Sequence, residues 1–306
     1  MSKPKVLYAP TPSLTERVFA RPTWEQFNDE FDLTDPRGEK ALTAAEIAAQ
    51  IAGHDALVTG WGVPALTEEV FANADKLKVV AHSAGSIKYL VTDELFDRYL
   101  LPKGITLFSA YQMIALNVAE CTIGMLIMAA RHFVPHALRY WEHGTRSADI
   151  PKNGQYLRGG TIGIVSASAV GREVIRLLEP FGCHVLVYDP YLSGESAAEL
   201  GVETIELNEL FERADHVTLH APSTPETEKM IGAEQLKRLR DGAAFVNTSR
   251  GSAVDHDALL QEARTGRIQV VLDVTTPEPL PADSPFRELR NVMVTPHLAG
   301  AGRRHT

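Results

Sequence analysis

Short apolar runs alternate with longer amphipathic stretches along most of the chain. KVLYA, ALVT, KVVAH and ITLF come first, followed by TIGIV, HVLVY, HVTLH, AAFVN, IQVVLDV and VMVTP. Runs this short, rich in β-branched residues and separated by helical periodicity, predict repeated βα units and therefore parallel sheets covered on both faces. Between them Thr43 and Glu46 form a capping box ahead of IAAQIA, and Gly53 supplies the stop. A long helical stretch from about Leu116 to Glu142, containing Pro135, separates the two sets of strands, and a loop with Gly144, Pro151 and Gly154 follows it. The pattern predicts two doubly wound, Rossmann-like α/β domains with parallel sheets, the second strand–helix series opening at Thr161.

Composition narrows the function class. With 306 residues, 44% of them hydrophobic, the chain is long enough for two cores, and its net charge of −9 with scattered lysines and arginines argues against nucleic acid as a partner. Cys121 and Cys183 read as free thiols of a reducing compartment. The start, MSKPKVLYAP, lacks the build of a signal peptide, so a cytoplasmic location is expected. The longest apolar stretch, Val118 to Ala130, carries Glu120, Thr122 and Gly124 and is shorter than the roughly 20 residues of a membrane span. It reads as a buried helix, and no membrane contact is expected.

The segment GIVSASAVGREV, Gly163 to Val174, passes from a strand-like run into a helix, as a dinucleotide-binding turn does. That turn ordinarily reads G-x-G-x-x-G, so that the chain can turn tightly, admit a pyrophosphate against its backbone and pack helix on strand. Here Ser166 and Ser168 occupy the first two glycine places and Gly171 keeps the third. Serine is small, and the Ser168 hydroxyl can donate to a phosphate oxygen. Asp189 ends the next strand 18 positions after Gly171 (189 − 171), near the spacing of a carboxylate that hydrogen-bonds an adenosine ribose. A carboxylate there repels a 2′-phosphate, which favours NAD over NADP. A plain βαβ unit whose Asp189 merely closes a strand is the alternative reading of this segment.

Three further segments end strands of the second set: NTSRGSAVD, LDVTTPEPL and TPHLAG. Arg250 can clamp a carboxylate with two parallel hydrogen bonds, Glu278 can hold an imidazole, and His297 can move a proton near neutral pH. Taken singly each has an ordinary structural role; together they suit reduction of a carbonyl beside a carboxylate.

At this point the chain resembles the D-isomer-specific 2-hydroxyacid dehydrogenase family, over KVVAHSAGSI, NVAECTIGMLIMAAR, LRGGTIGIVSASAVGREV, VLVYDP, ADHVTLHAPSTPETEKMIG, GAAFVNTSRGSAVDHDAL and TPHLAG. The resemblance implies an NAD-dependent oxidoreductase that interconverts a small 2-keto acid and a D-2-hydroxy acid. Arg250 would be the carboxylate-binding arginine, Glu278 the imidazole partner and His297 the proton-transfer histidine. The backbone around Ser83 to Ser86, with Ala84 and Gly85, would bind substrate carboxylate. Cofactor contacts would fall at Ser168, Ala169, Val170, Asp189, His220 and Ala221 for the adenosine half, and at Thr248 and Asp273 for the nicotinamide. No metal is implied. Formate-oxidising relatives carry glutamine in place of Glu278, so the acid points to 2-hydroxy or 2-keto acids. The implied division is residues 1–111 with 295–306 as substrate-binding domain and 112–294 as NAD-binding domain, in a homodimer joined through the nucleotide domain, with the helix near Val118 to Ala130 a candidate interface.

Three departures from the family pattern stand out: the two serines, Ile87 where the family usually shows Asp or Asn, and a chain that ends nine residues after His297 (306 − 297), where the family continues through a further helix. They keep open a reading from another class, a dinucleotide-responsive binding protein or inactive relative. Trp61, Tyr89 and Tyr111 are candidate walls for a substrate side chain, although core packing is the commoner role of such residues.

Overall fold

The computed structural model describes residues 2–36, 38–144 and 154–302. Pro151 and residues 303–306, on which the linking loop and the end of the expected substrate domain partly rest, lie outside the described residues. The chain forms two compact units, the first Met1–Ile114 and the second Ala115–Gly302.

The first unit holds a parallel sheet in the order β2-β1-β3-β4-β5, with β1 Lys5–Tyr8, β2 Asp32–Thr34, β3 Ala56–Thr59, β4 Val79–His82 and β5 Thr106–Ser109. Alternation of side chains divides its core. Leu7, Leu57 and Val80 face one layer, while Val6, Tyr8 and Val58 face an aromatic layer of Phe19, Trp24, Phe27 and Phe31. The expected capping box is present: Thr43 Oγ1 accepts from the Glu46 N–H and the Glu46 carboxylate accepts from the Thr43 N–H, opening helix Ala44–Gln50.

The second unit holds seven parallel strands in the order β12-β11-β10-β9-β6-β7-β8: β6 Thr161–Val165, β7 His184–Tyr188, β8 Glu203–Thr204, β9 His216–Leu219, β10 Ala244–Asn247, β11 Gln269–Leu272 and β12 Val292–Val294. The order reverses beside β6, the place where open α/β sheets take ligands beyond their carboxyl ends. Strands β9, β10 and β11 are buried throughout, which is why they read as unbroken apolar runs. Phe245, Leu219 and Leu272 pack on one face, Val246, Val271 and Ile164 on the other.

Two details differ from expectation. The helical link is two helices, Tyr111–Ala130 and Phe133–His143, parted at His132 with φ 54°. Pro135 sits in the first turn of the second, where its missing N–H costs nothing. The first helix is 20 residues, long and apolar enough by length and composition to cross a membrane. Its Ala119, Met125, Leu126 and Ala130 are instead part of the core on one face of the second sheet. The second difference concerns residues 295–302, expected with the substrate domain. They pack with the second unit, because they continue directly from β12 and are tied to the end of β11 by the bonds described next.

Candidate active site

At the end of β6, Ser166 turns the chain with φ 79°, a conformation that an L side chain takes only at a cost. The turn itself compensates. Ser166 Oγ and the Ala167 N–H both donate to Asp189 Oδ2, at 3.2 and 2.8 Å, and Asp189 Oδ1 accepts from the Tyr191 N–H at 2.9 Å. Helix Ala169–Leu178 follows, capped by Ser168, whose Oγ accepts from the Gly171 N–H and donates to the His220 carbonyl at 2.9 Å. Gly171 is required by proximity: a Cβ there would lie 2.1 Å from the Ser166 carbonyl oxygen. Among the described residues, the N–H groups of Ser168, Ala169 and Val170 donate to no protein acceptor. Three such donors at the positive end of a ten-residue helix suit a pyrophosphate. Asp189 already accepts three bonds of the four or so a carboxylate can take, which leaves room for a ribose hydroxyl. His220 is in the core, its Nε2 bonded to Thr218 Oγ1 and its Nδ1 without a partner, and burial holds its pKa down to about 3. Its carbonyl meets the turn through Ser168; Ala221 beside it is buried too.

The ends of β10, β11 and β12, neighbours in the sheet, carry Thr248, Arg250, Asp273, Glu278 and His297. After β10, the buried Asn247 folds the chain into an Asx-type turn. Its Oδ1 accepts from Ser249 N–H and Oγ, at 3.0 and 2.9 Å, and its Nδ2 donates to the Arg250 carbonyl at 2.9 Å. Arg250 is thereby held exposed, its guanidinium donating to the Ser249 carbonyl and meeting no carboxylate among the described residues. Gly251 lies against the next loop so closely that a Cβ would come within 2.2 Å of Thr275 backbone atoms. Thr248 is buried, its hydroxyl 3.0 Å from that of Thr122.

Asp273, buried to 1% exposure, organises the last loop. Its Oδ1 accepts from Thr295 Oγ1 at 2.6 Å and the Leu298 N–H at 2.9 Å, and its Oδ2 from the Ala299 N–H at 2.9 Å. The His297 N–H donates to the Asp273 carbonyl at 2.9 Å. These bonds hold His297 at φ 51° and bring its Nδ1–H to Glu278 Oε1 at 2.7 Å. Both side chains are almost half exposed, and among the described residues His297 Nε2 has no partner. A carboxylate that accepts a hydrogen bond from Nδ1–H fixes the ring and leaves Nε2 to exchange protons with a bound molecule.

In the first unit the loop after β4 contains Ala84 and Gly85. The N–H groups of Ala84, Gly85 and Ser86 donate to no protein acceptor among the described residues, a run of donors able to receive an anion. Ile87, at the place where the resemblance expects an acid or amide, closes the loop through its carbonyl, which accepts from Leu90 and Val91. Trp61, Tyr89 and Tyr111 are not core aromatics; they are 41, 45 and 51% exposed.

The sequence alone assigns no role to Asn247 or Thr295, and Asp273 reads there only as an implied cofactor contact. The N-x-S pattern at Asn247 was a readable turn signal, whereas the partners of Asp273 lie more than twenty positions downstream.

Residues 123–299 match the model of the D-isomer specific 2-hydroxyacid dehydrogenase, NAD binding domain. The chain belongs to this family. Its second unit carries the family's NAD-binding domain, and NAD is the cofactor. A glyoxylate reductase of Korarchaeum cryptofilum is 34% identical over 303 residues, 98% of this chain and 87% of that protein. A D-3-phosphoglycerate dehydrogenase of Methanocaldococcus jannaschii is 35% identical over 84% of this chain, which spans about half (48%) of that relative's length. Among solved structures, a protein from Thermus thermophilus superposes with a TM-score of 0.74 at 28% identity, covering 97% of this chain and 90% of its own. A phosphoglycerate oxidoreductase from Rhizobium etli gives 0.78 at 25% identity, covering 98% and 89%.

Proposed function

We propose that this chain is an NAD-dependent D-2-hydroxyacid dehydrogenase that runs as a 2-keto acid reductase, with His297 as its acid and base. The observation that carries the reading is the 2.7 Å contact between His297 Nδ1 and Glu278 Oε1, held by the buried Asp273 and leaving Nε2 without a partner among the described residues. Held at the Ser168–Val170 N–H groups and Asp189, NADH would supply the hydride for the keto carbon. As negative charge builds on the carbonyl oxygen, His297 Nε2–H donates its proton there, and Glu278 stabilises the imidazolium before transfer. In the oxidative direction neutral Nε2 takes the hydroxyl proton. Arg250, exposed and meeting no carboxylate among the described residues, binds the substrate carboxylate in two-point fashion. Asp189 selects NAD over NADP through the ribose. Cytoplasmic location and a homodimer belong to the same reading, and sedimentation equilibrium checks the latter.

The test is NADH oxidation with glyoxylate, pyruvate, hydroxypyruvate and bulkier 2-keto acids. Turnover of one or more of them is expected. Arg250→Lys keeps the charge but loses the planar fork, and is expected to raise KM for the keto acid by about 10-fold or more. A folded protein that binds NADH yet reduces none of the panel overturns the reductase and favours the dinucleotide-responsive binding protein. Parental KM in Arg250→Lys refutes the clamp.

A further inference from the structure

Buried beneath the exposed Tyr89 is a chain of hydrogen bonds that the hydride chemistry does not use. Thr59 and His82 end the neighbouring strands β3 and β4 at the same level of the sheet and are both fully buried. Thr59 Oγ1 lies 2.9 Å from His82 Nδ1, and His82 Nε2 lies 3.3 Å from the Tyr89 hydroxyl, with the two rings edge to face at 5.7 Å.

Completeness of hydrogen bonding orients this chain. Among the described residues Thr59 Oγ1 has no acceptor other than His82 Nδ1, so its hydrogen goes there, since the opposite arrangement would strand a hydroxyl hydrogen in the core. The imidazole is then the Nε2–H tautomer and donates to the Tyr89 oxygen. Burial holds the His82 pKa down to about 4, so the ring stays neutral at ordinary pH, and burial also raises that of the Tyr89 phenol. Tyr89 therefore accepts from inside and has its own O–H left to donate outward. A phenol that already accepts a hydrogen bond is a better donor. It stands five positions after Ala84 (89 − 84), on the loop whose consecutive N–H groups lack acceptors among the described residues. A hydroxyl donor on the same loop as a run of amide donors is a set for an anionic oxygen, which on a 2-keto acid is the carboxylate.

We propose that Tyr89 is a substrate-binding residue whose hydroxyl, oriented through Thr59 and His82, donates to the carboxylate of the 2-keto acid alongside the Ala84–Gly85 backbone. His82 is the positioning residue behind it. The assignment rests on the reading above for its substrate class, and oxamate, an unreactive mimic of a 2-keto acid, lets the two fail separately.

The experiment titrates oxamate into the NADH-loaded protein by NMR, measures KM and kcat with glyoxylate, and reads the ring nitrogen shifts of His82. Tyr89→Phe is expected to weaken oxamate and raise KM about 10- to 100-fold, the loss of a hydrogen bond to a charged group, with kcat and NADH affinity little changed. His82→Gln should move KM in the same direction by less. His82 in the parent should show the neutral Nε2–H tautomer. Tyr89→Phe binding oxamate like the parent, a parent that binds no oxamate, or the Nδ1–H tautomer each overturns the proposal. If the parent reduces no keto acid while Tyr89→Phe still weakens oxamate, the reductase reading falls and the Tyr89 assignment stands.

Discussion

Two turns of the second unit solve the same backbone problem in opposite ways. At the dinucleotide turn and at the histidine loop, a residue other than glycine sits at positive φ, Ser166 at 79° and His297 at 51°, and an aspartate accepts several donors to keep it there. Asp273 is buried and has its donors from one loop, so it is a scaffold. Asp189 is partly open, at the edge of a row of N–H groups without acceptors among the described residues, so part of its capacity is left for something that comes and goes. A strained residue over a buried anchor makes a fixed geometry; the same strain over an open one makes a receptive site.

The comparison breaks most sharply at the side chain the fixed turn exists to present. His297→Ala is expected to lose about 10²- to 10⁴-fold in kcat with NADH affinity nearly kept. In the parent, keto acid reduction should fall as pH rises and hydroxy acid oxidation should rise, because the two directions need opposite protonation states of one imidazole. Parallel pH trends would remove His297 from proton transfer. Asp273→Asn tests the anchor: the amide sets N–H against N–H at Ala299 or Leu298, and we expect a loss of about 2–3 kcal/mol in urea unfolding together with reduced turnover. Near-parental stability would show that the loop holds without it.

Acid should sharpen the contrast from beneath the receptive turn. His220, whose carbonyl holds Ser168, and His216 have folded-state values lowered by burial to about 3 and about 4, against an ordinary 6.5. The unfolded chain takes up protons first, so stability is whole above about pH 6.5 and falls as pH drops toward those values. Unfolding midpoints between pH 7.5 and 5 check this, and a flat profile would contradict neutral burial of both rings. Asp189→Ala should weaken NADH by a smaller factor, roughly 3- to 30-fold, and narrow its margin over NADPH. An unchanged ratio would reject Asp189 as the selector. The smallest effect is expected for Ser166→Gly, where relief of the strained φ and loss of the bond to Asp189 offset to within about 1 kcal/mol. A large fall in NADH affinity there would mean that the serine hydroxyl itself touches the cofactor.

Most of the fold was legible because buried parallel strands must be apolar on both faces: each run quoted from the sequence overlaps a strand, and the Thr43 capping box formed as read. The strands that escaped, β2 and β8, are three and two residues long at sheet edges, where one side of the ladder faces solvent and little apolar patterning is needed. The site divides in a similar way. Arg250, Glu278 and His297 stand out in the sequence as residue types suited to one chemistry, and Asp189 by its spacing. What only the tertiary structure decided is who holds them. Asp273 anchors a loop beginning 22 positions later, Ser166 borrows Asp189 across 23 positions, and Thr59 and His82 meet over 23 positions through the register of adjoining strands. Residue chemistry is a property of single positions and is written in the chain, whereas a hydrogen bond across a sheet is a property of register and loop path, which the packing of the whole unit sets.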